Sequence, residues 1–291
     1  MAPPPPATLP LPERLKALAQ TLQFAWFVGH LTLLLSVARY FLSYITFNYY
    51  SRWAKFSYRT AFLAAALTYG IVVYKQYVAR GRLQGGAPSI ALKLAGDENV
   101  QYLAMALVWL YSRQVPLALL PFSVYSVFHV ATYTRTYLIP TLQPQTQAAN
   151  GATPASPTSP KPAAKSSPLA DNIGKFVKKY YDASMGLVAA LEIALLLRLI
   201  LSALTFSKGS WVLLFIYVTF FRARHSQSSF VQNSVSHLTA RVDTAVSHQS
   251  TPPPVRQGWE TLKGVVRQGY DATDVKRYTG GYGGATAKKP Q

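Results

Sequence analysis

Apolar residues in this chain come in long blocks rather than in short alternating runs, and the block lengths set the first expectations. Ala17 to Ala38 carries no formal charge, and at ~1.5 Å per residue it reaches roughly 33 Å, enough to cross the hydrocarbon core of a bilayer. The apolar pattern continues through FLSYITFNYY, so a helix is expected from about Phe24 to about Phe47. Arg39 would then snorkel, with Tyr40, Tyr44, Tyr49, Tyr50 and Trp53 forming an interfacial aromatic belt. TAFLAAALTYGIVVY, between Arg59 and Lys75, gives only roughly 22 Å of helix. It spans if the flanking cations stretch to the two surfaces, or it sits in a shallow hairpin. Asn99 to Ser112 and Gln114 to Thr134, separated by Arg113 with Pro116 and Pro121 just beyond it, read as a hairpin whose first arm is short. A second hairpin pairs GLVAALEIALLLRLILSALTF with SWVLLFIYVTFF across the break KGS. Its second arm, about a dozen residues, falls below the ~17 needed to span.

The polar segments divide the chain. MAPPPPATLPLP is a solvated, proline-rich arm without the basic start of a signal peptide, so the first apolar run is read as a signal anchor that stays in the membrane. Gly85, Gly86 and Pro88 mark a loop. From Pro140 to Pro168 the Pro, Ala, Ser, Thr and Gln composition cannot bury enough apolar surface to offset chain entropy. KFVKKYYDASM reads as a basic interfacial lead-in. The predicted organisation is therefore a disordered arm at 1–14, membrane helices at 15–139, a disordered linker at 140–171, a membrane hairpin at 172–221, cytosolic amphipathic helices at 222–277 and a disordered tail at 278–291. The fold class is all-α: a multi-pass helical membrane protein with short hairpins and an amphipathic tail.

Two stripes define that tail. Val231, Val235, Leu238, Val242 and Ala245 recur in steps of four and three, and so do Val255, Trp259, Leu262 and Val266, with Tyr270 a small overshoot. Thr251 and three prolines separate the two helices. Lys263, Arg267, Lys276 and Arg277 supply cations beside or beyond the second stripe. Such faces can dock on the protein itself or on each other, self-associate, lie in a membrane interface, or fill a partner's groove. Trp259 and the basic flank favour interface or partner.

Charge sharpens the picture. The formal net charge is +19, yet the Lys and Arg sit between and after apolar runs, which suits anionic headgroups or an acidic partner surface better than nucleic acid. Alternate-loop assignment leaves only Arg39, Arg52, Lys55, Arg59, Arg113 and Lys208 on one side. The richer side, with the N-terminus and tail, is expected to be cytosolic. Lys288 and Lys289 stand third and fourth from the end, matching a two-lysine retrieval signal of the endoplasmic reticulum. There is no cysteine, the five histidines show no ligand spacing, and Asp97 and Glu98 suit a helix N-terminus rather than catalysis. No catalytic constellation and no cofactor is expected. Glu192 and Arg198 lie inside one apolar run on different helix faces; with His30 and His129 they support the alternative of a small-solute transporter or channel.

One region carries more than periodicity. DENVQYLAMALVWLYSRQVPLALLPFSVYSVFHVATYTR, above all its last part, resembles the hallmark region of the transmembrane protein thirty-three family. FSYRTAFLAAALTYGIVVYKQ resembles that family's second segment, and the Glu192 helix with GSWVLLFIYVTFFRARHSQSS its third block. The resemblance covers roughly 20 to 248 apart from the linker. It implies a non-enzymatic protein of the endoplasmic reticulum and nuclear envelope that shapes or stabilises curved membrane. It implies association with reticulon-type proteins, nuclear pore components and an importin-type transport receptor, with the tail at 230–246 and 255–277 contacting membrane and receptor.

Overall fold

The computed structural model describes residues 9–143 and 167–272, and every element in them is helical. The chain divides into two units, Met1–Val231 and Gln232–Gln291.

The first unit opens with α1 (Leu11–Ala19), started by Pro12 in the first turn, where a missing N–H costs nothing. The predicted disordered arm is thus helical from Leu11. Leu18 packs with Phe27, Tyr133 and Tyr137. Thr21 caps α2 (Leu22–Ile45) by accepting from the Phe24 N–H at 3.1 Å. Ser51 does the same for α3 (Arg52–Val73) through the Ala54 N–H. α3 then runs through a π turn, Tyr74–Val78. The expectation of a short block between Arg59 and Lys75 is corrected here: a charge does not stop a helix whose hydrogen bonds continue. Arg59 stays inside α3 and donates to the Trp109 carbonyl at 3.2 Å, so the span is 27 residues, Arg52–Val78.

After α4 (Ala87–Ala95) comes α5 (Glu98–Tyr111), whose 14 residues match the expected short arm. A 3₁₀ turn at Pro116–Ala118 leads into α6 (Leu119–Tyr133), a second π turn at Thr134–Leu138 and α7 (Ile139–Leu142). α8 (Pro168–Leu204) is one helix of 37 residues, and α9 (Ser210–Gln227) has 18. The predicted linker therefore loses both ends: 140–142 and 168–171 are helical, and residues 144–166 lie outside the described residues. Proline at a first helical turn is compatible with that start. KFVKKYYDASM is likewise part of α8, and α9 outruns the dozen residues expected because Arg222 and Arg224 remain helical.

Among the described residues, four helices are long and apolar enough to cross a membrane: Leu22–Ile45, Arg52–Val78, Pro116–Leu142 and Pro168–Leu204. Outward-facing Leu35, Leu42, Leu67, Leu197 and Leu201 give them a leucine surface. The core between them is aromatic, with Tyr58, Phe62, Tyr102, Trp109 and Tyr217 almost fully buried. Small residues let α2 and α3 close together. A Cβ on Gly29 would stand 2.5 Å from the Thr68 methyl.

The α2–α3 and α8–α9 turns are built alike. Arg39-x₃-Ser43-x₂-Thr46-Phe47-x₃-Ser51 repeats as Arg198-x₃-Ser202-x₂-Thr205-Phe206-x₃-Ser210. Each helix ends with a left-handed phenylalanine (φ 53° and 51°). Each has the 6→1 backbone bond that satisfies helix-end carbonyls, from the Asn48 N–H to Ser43 O and from the Ser207 N–H to Ser202 O. Arg113 donates to Ser202 and Ser210. The 111–115 and 205–209 turns thus share one end of the unit. At the opposite end, Tyr77 and Gln76 reach Asp97 and Gln227 reaches Gly96.

In the second unit α10 (Ser229–Val246, begun in the first unit) and α11 (Pro253–Ala272) form a helical hairpin around the proline turn.

Candidate functional site

The tail residues singled out by spacing do not behave as one surface. Val231 is fully buried at the end of the first unit, Val235 and Val242 are half-buried, and Leu238 is exposed. In α11 the stripe stays open: Val255, Leu262 and Val266 are 51%, 52% and 63% exposed, joined by Val265. Arg267 is exposed. Trp259 is partly buried because its indole N–H donates to Asp243 Oδ1 at 2.6 Å. Lys263 donates to the same oxygen at 2.8 Å, pairs with Glu260, and lies 5.8 Å from the Trp259 ring centroid. Asp243 thus clasps the two α11 side chains best suited to a headgroup or an acidic partner. The hydrogen bonds from Lys263 and Trp259 hold the Asp243 carboxyl below its ordinary range. The Asp243 bond raises Lys263. Lys276, Arg277, Lys288 and Lys289 lie outside the described residues.

A second polar centre lies in the first unit, and spacing along one helix could not find it. Glu192 and Arg224 are nearly fully buried, with Nε 3.3 Å from Oε1. Tyr102 donates its hydroxyl hydrogen to the same carboxylate, and the Tyr217 hydroxyl donates to the Glu192 carbonyl at 3.0 Å. Arg224 extends to Glu98 at 2.5 Å and lies 5.2 Å from the Tyr102 ring centroid. Glu192 therefore pairs with α9 and not with Arg198, which faces outward; six residues along one helix separate the two faces, as the spacing required. Glu192 and Arg224 sit at comparable distances on either side of the 205–209 turn, a signal that a hairpin reading would have carried. Asp97 caps α5 as expected, accepting from the Asn99 and Val100 N–H groups.

Two histidines that looked scattered meet. The ring centroids of His30 and His129 are 4.6 Å apart, and Trp26 lies against both. The Ser126 hydroxyl donates to Phe122 O at 2.8 Å, so it accepts from His30 Nδ1 at 2.9 Å. No group of three potential metal ligands occurs among the described residues.

Compared with known proteins, residues 13–270 match the model of the family described as Transmembrane protein 33/Nucleoporin POM33. The chain is similar to Nucleoporin POM33 of Chaetomium thermophilum, 56% identical over 97% of either chain. It is 31% identical to Tetra-spanning protein 1 of Schizosaccharomyces pombe (87% of this chain, 86% of that one). It is 29% identical to the Pore membrane protein of 33 kDa of Saccharomyces cerevisiae (87% and 85%). No solved structure matches it significantly.

Proposed function

The chain belongs to the Transmembrane protein 33/Nucleoporin POM33 family, and on that premise we propose that it is a non-enzymatic pore-membrane protein of the nuclear envelope and endoplasmic reticulum. The names of its relatives, two of them pore proteins and one tetra-spanning, support that placement, as do four helices of spanning length.

In this reading the first unit anchors the protein and the tail acts on its surroundings. The carrying observation is the open face of α11, where Val255, Leu262, Val265 and Val266 are all at least half exposed with Lys263 and Arg267 on one flank. An amphipathic helix of this composition lies in a bilayer interface by burying its apolar face while its cations meet anionic headgroups. In this reading the N-terminus and the tail are on the cytosolic side, which the excess of Lys and Arg there supports. Inserted in that leaflet, α11 adds area to one face of the membrane and favours curvature toward the cytosol. The short helix α5 acts in the same sense, and reticulon-type proteins and nuclear pore components are the partners in that membrane. The same cations offer a docking strip to an importin-type receptor, whose binding then competes with lipid.

The test is co-sedimentation of the purified full chain's tail function with small and large anionic vesicles after the first unit is held in nanodiscs. Trp259→Ala with Leu262→Asp is expected to abolish tethering of vesicles to the discs. Unchanged tethering would refute the tail's role. Imaging a tagged copy against pore and tubule markers tests the placement.

A further inference from the structure

A cavity of about 460 Å³ lies wholly in the first unit, at the end where α5 begins and α9 finishes. Its walls include Tyr69, Tyr102, Tyr125, Phe128, Tyr181 and Phe230, contributed by α3, α5, α6, α8 and the start of α10. The rings are held in place by one another. Tyr102 stacks on Tyr69 and meets Tyr125 edge-on, while Phe128 stands edge-on to Tyr181. Arg224 and Glu98 also line it, with Asn99, Gln227, Ser228 and Ser229.

Its charged groups lie at the polar end of α5. Glu98 follows Asp97, which Tyr77 and Gln76 reach from the end of the α3 span, and the Glu98 side chain is 50% exposed. α6 and α8 continue beyond this level as the taller apolar walls of a well, and charged groups beside such helices call for a polar occupant.

The chemistry of the well selects among polar occupants. One carboxylate, Glu98, and one guanidinium, Arg224, line the cavity, so its charges complement a head that carries both signs. The rings favour a cation whose surface is apolar, because a quaternary ammonium is attracted to aromatic faces and is weakly hydrated. Arg224 has five N–H donors, and its bonds to Glu192, Glu98 and Tyr125 leave two for an anionic oxygen beside that cation. We propose that this well binds the head of a choline glycerophospholipid, trimethylammonium against the rings and Glu98, phosphate toward Arg224. The inference rests on the multi-pass membrane fold and not on the tail's proposed role.

The test is native mass spectrometry of the full chain released from nanodiscs containing equal phosphatidylcholine, phosphatidylethanolamine and phosphatidylglycerol of matched acyl chains. One phosphatidylcholine is expected to be retained at least about tenfold over phosphatidylglycerol, and several-fold over phosphatidylethanolamine. Tyr181 is 45% exposed, so its replacement leaves the core intact. Tyr181→Ala is expected to lower phosphatidylcholine retention about tenfold, the order of one desolvated cation–π contact, and Tyr181→Phe to restore it. Equal retention of the choline and glycerol lipids, or no effect of Tyr181→Ala, overturns the site. Equal retention of ethanolamine and choline lipids overturns the choline assignment. Displacement by soluble phosphocholine as readily as by the lipid overturns a membrane lipid as the occupant. Loss of vesicle tethering by the tail with lipid retention intact would strike the tail's role alone.

Discussion

The first unit and the tail use the same three ingredients, a carboxylate, a cation and an aromatic ring, in opposite surroundings. In the membrane unit Glu192, Arg224 and Tyr102 are nearly free of solvent; in the tail Asp243, Lys263 and Trp259 meet at the surface, with side chains of Asp243 and Lys263 42% and 32% exposed. Coulomb attraction is damped by water in the tail and much less so among the buried helices. Removing one member of the buried set strands a charge with no solvent to receive it. Separating the exposed set merely exchanges each bond for one with water. The buried set fixes how α5, α8 and α9 meet, and the exposed one can open and close.

The largest effect should come from breaking the buried set on one side. Arg224→Ala leaves Glu192 and Glu98 without their cation, and truncating one partner of a buried pair costs about 3–5 kcal/mol. Thermal unfolding of the purified chain in detergent should therefore fall by many degrees. Glu192→Gln with Arg224→Met, which removes both charges at similar volume, should recover most of the loss. If the double variant is no better than Arg224→Ala, the ion pair is not what holds these helices.

The next effect belongs to the tail's surface and should leave the first unit's unfolding untouched. Leu262→Asp removes one apolar side chain whose transfer into a lipid interface contributes about 1.5–3 kcal/mol, so vesicle binding should weaken by more than tenfold. A matching fall in the stability of the membrane unit would show that α11 is a structural strut, and the contrast between the two regions would collapse.

The two regions also differed in how far they could be read from the chain. α10 and α11 were legible because their signal is local: Val255, Trp259, Leu262 and Val266 need only a helix to come together, and α11 runs from Pro253 to Ala272 as the stripe implied. The long apolar blocks gave α2 and α8 for the same reason. The Glu192 site needs three helices, with partners 32, 90 and 94 residues away in Arg224, Tyr102 and Glu98. Periodicity within α8 shows only that Glu192 and Arg198 diverge. Composition makes Arg59 look like an end of the α3 span, whereas its guanidinium finds the Trp109 carbonyl across the packed pair. Nor does local pattern say that Asp243 would engage the very residues that make α11 attractive to a membrane.

That clasp gives a smaller and more selective effect. With Trp259 and Lys263 bonded to Asp243, the closed hairpin would, under the proposed tail role, compete with lipid for the same two side chains. Asp243→Asn removes the charge that draws Lys263, so binding to anionic vesicles should rise several-fold, opposite in sign to Leu262→Asp. A fall in binding would mean that the closed hairpin is the binding form.

The smallest effect is one of pH, and its sign follows from Asp243. Lys263 and Trp259 hold its carboxyl below the ordinary value, which for an unperturbed aspartate is about 3.9. A carboxyl lowered by folding contributes fully above its unfolded pKa, and the contribution is lost as pH falls through the lowered folded value. The clasp should thus be complete at neutral pH and open only in the acid range below about 4, outside the physiological range. The indole N–H resonance of Trp259 in the full chain reads this directly: it should hold its hydrogen-bonded position down to that range and move upfield below it, and the movement should be absent in Asp243→Asn. A transition near neutrality would show that a group other than Asp243 opens the clasp.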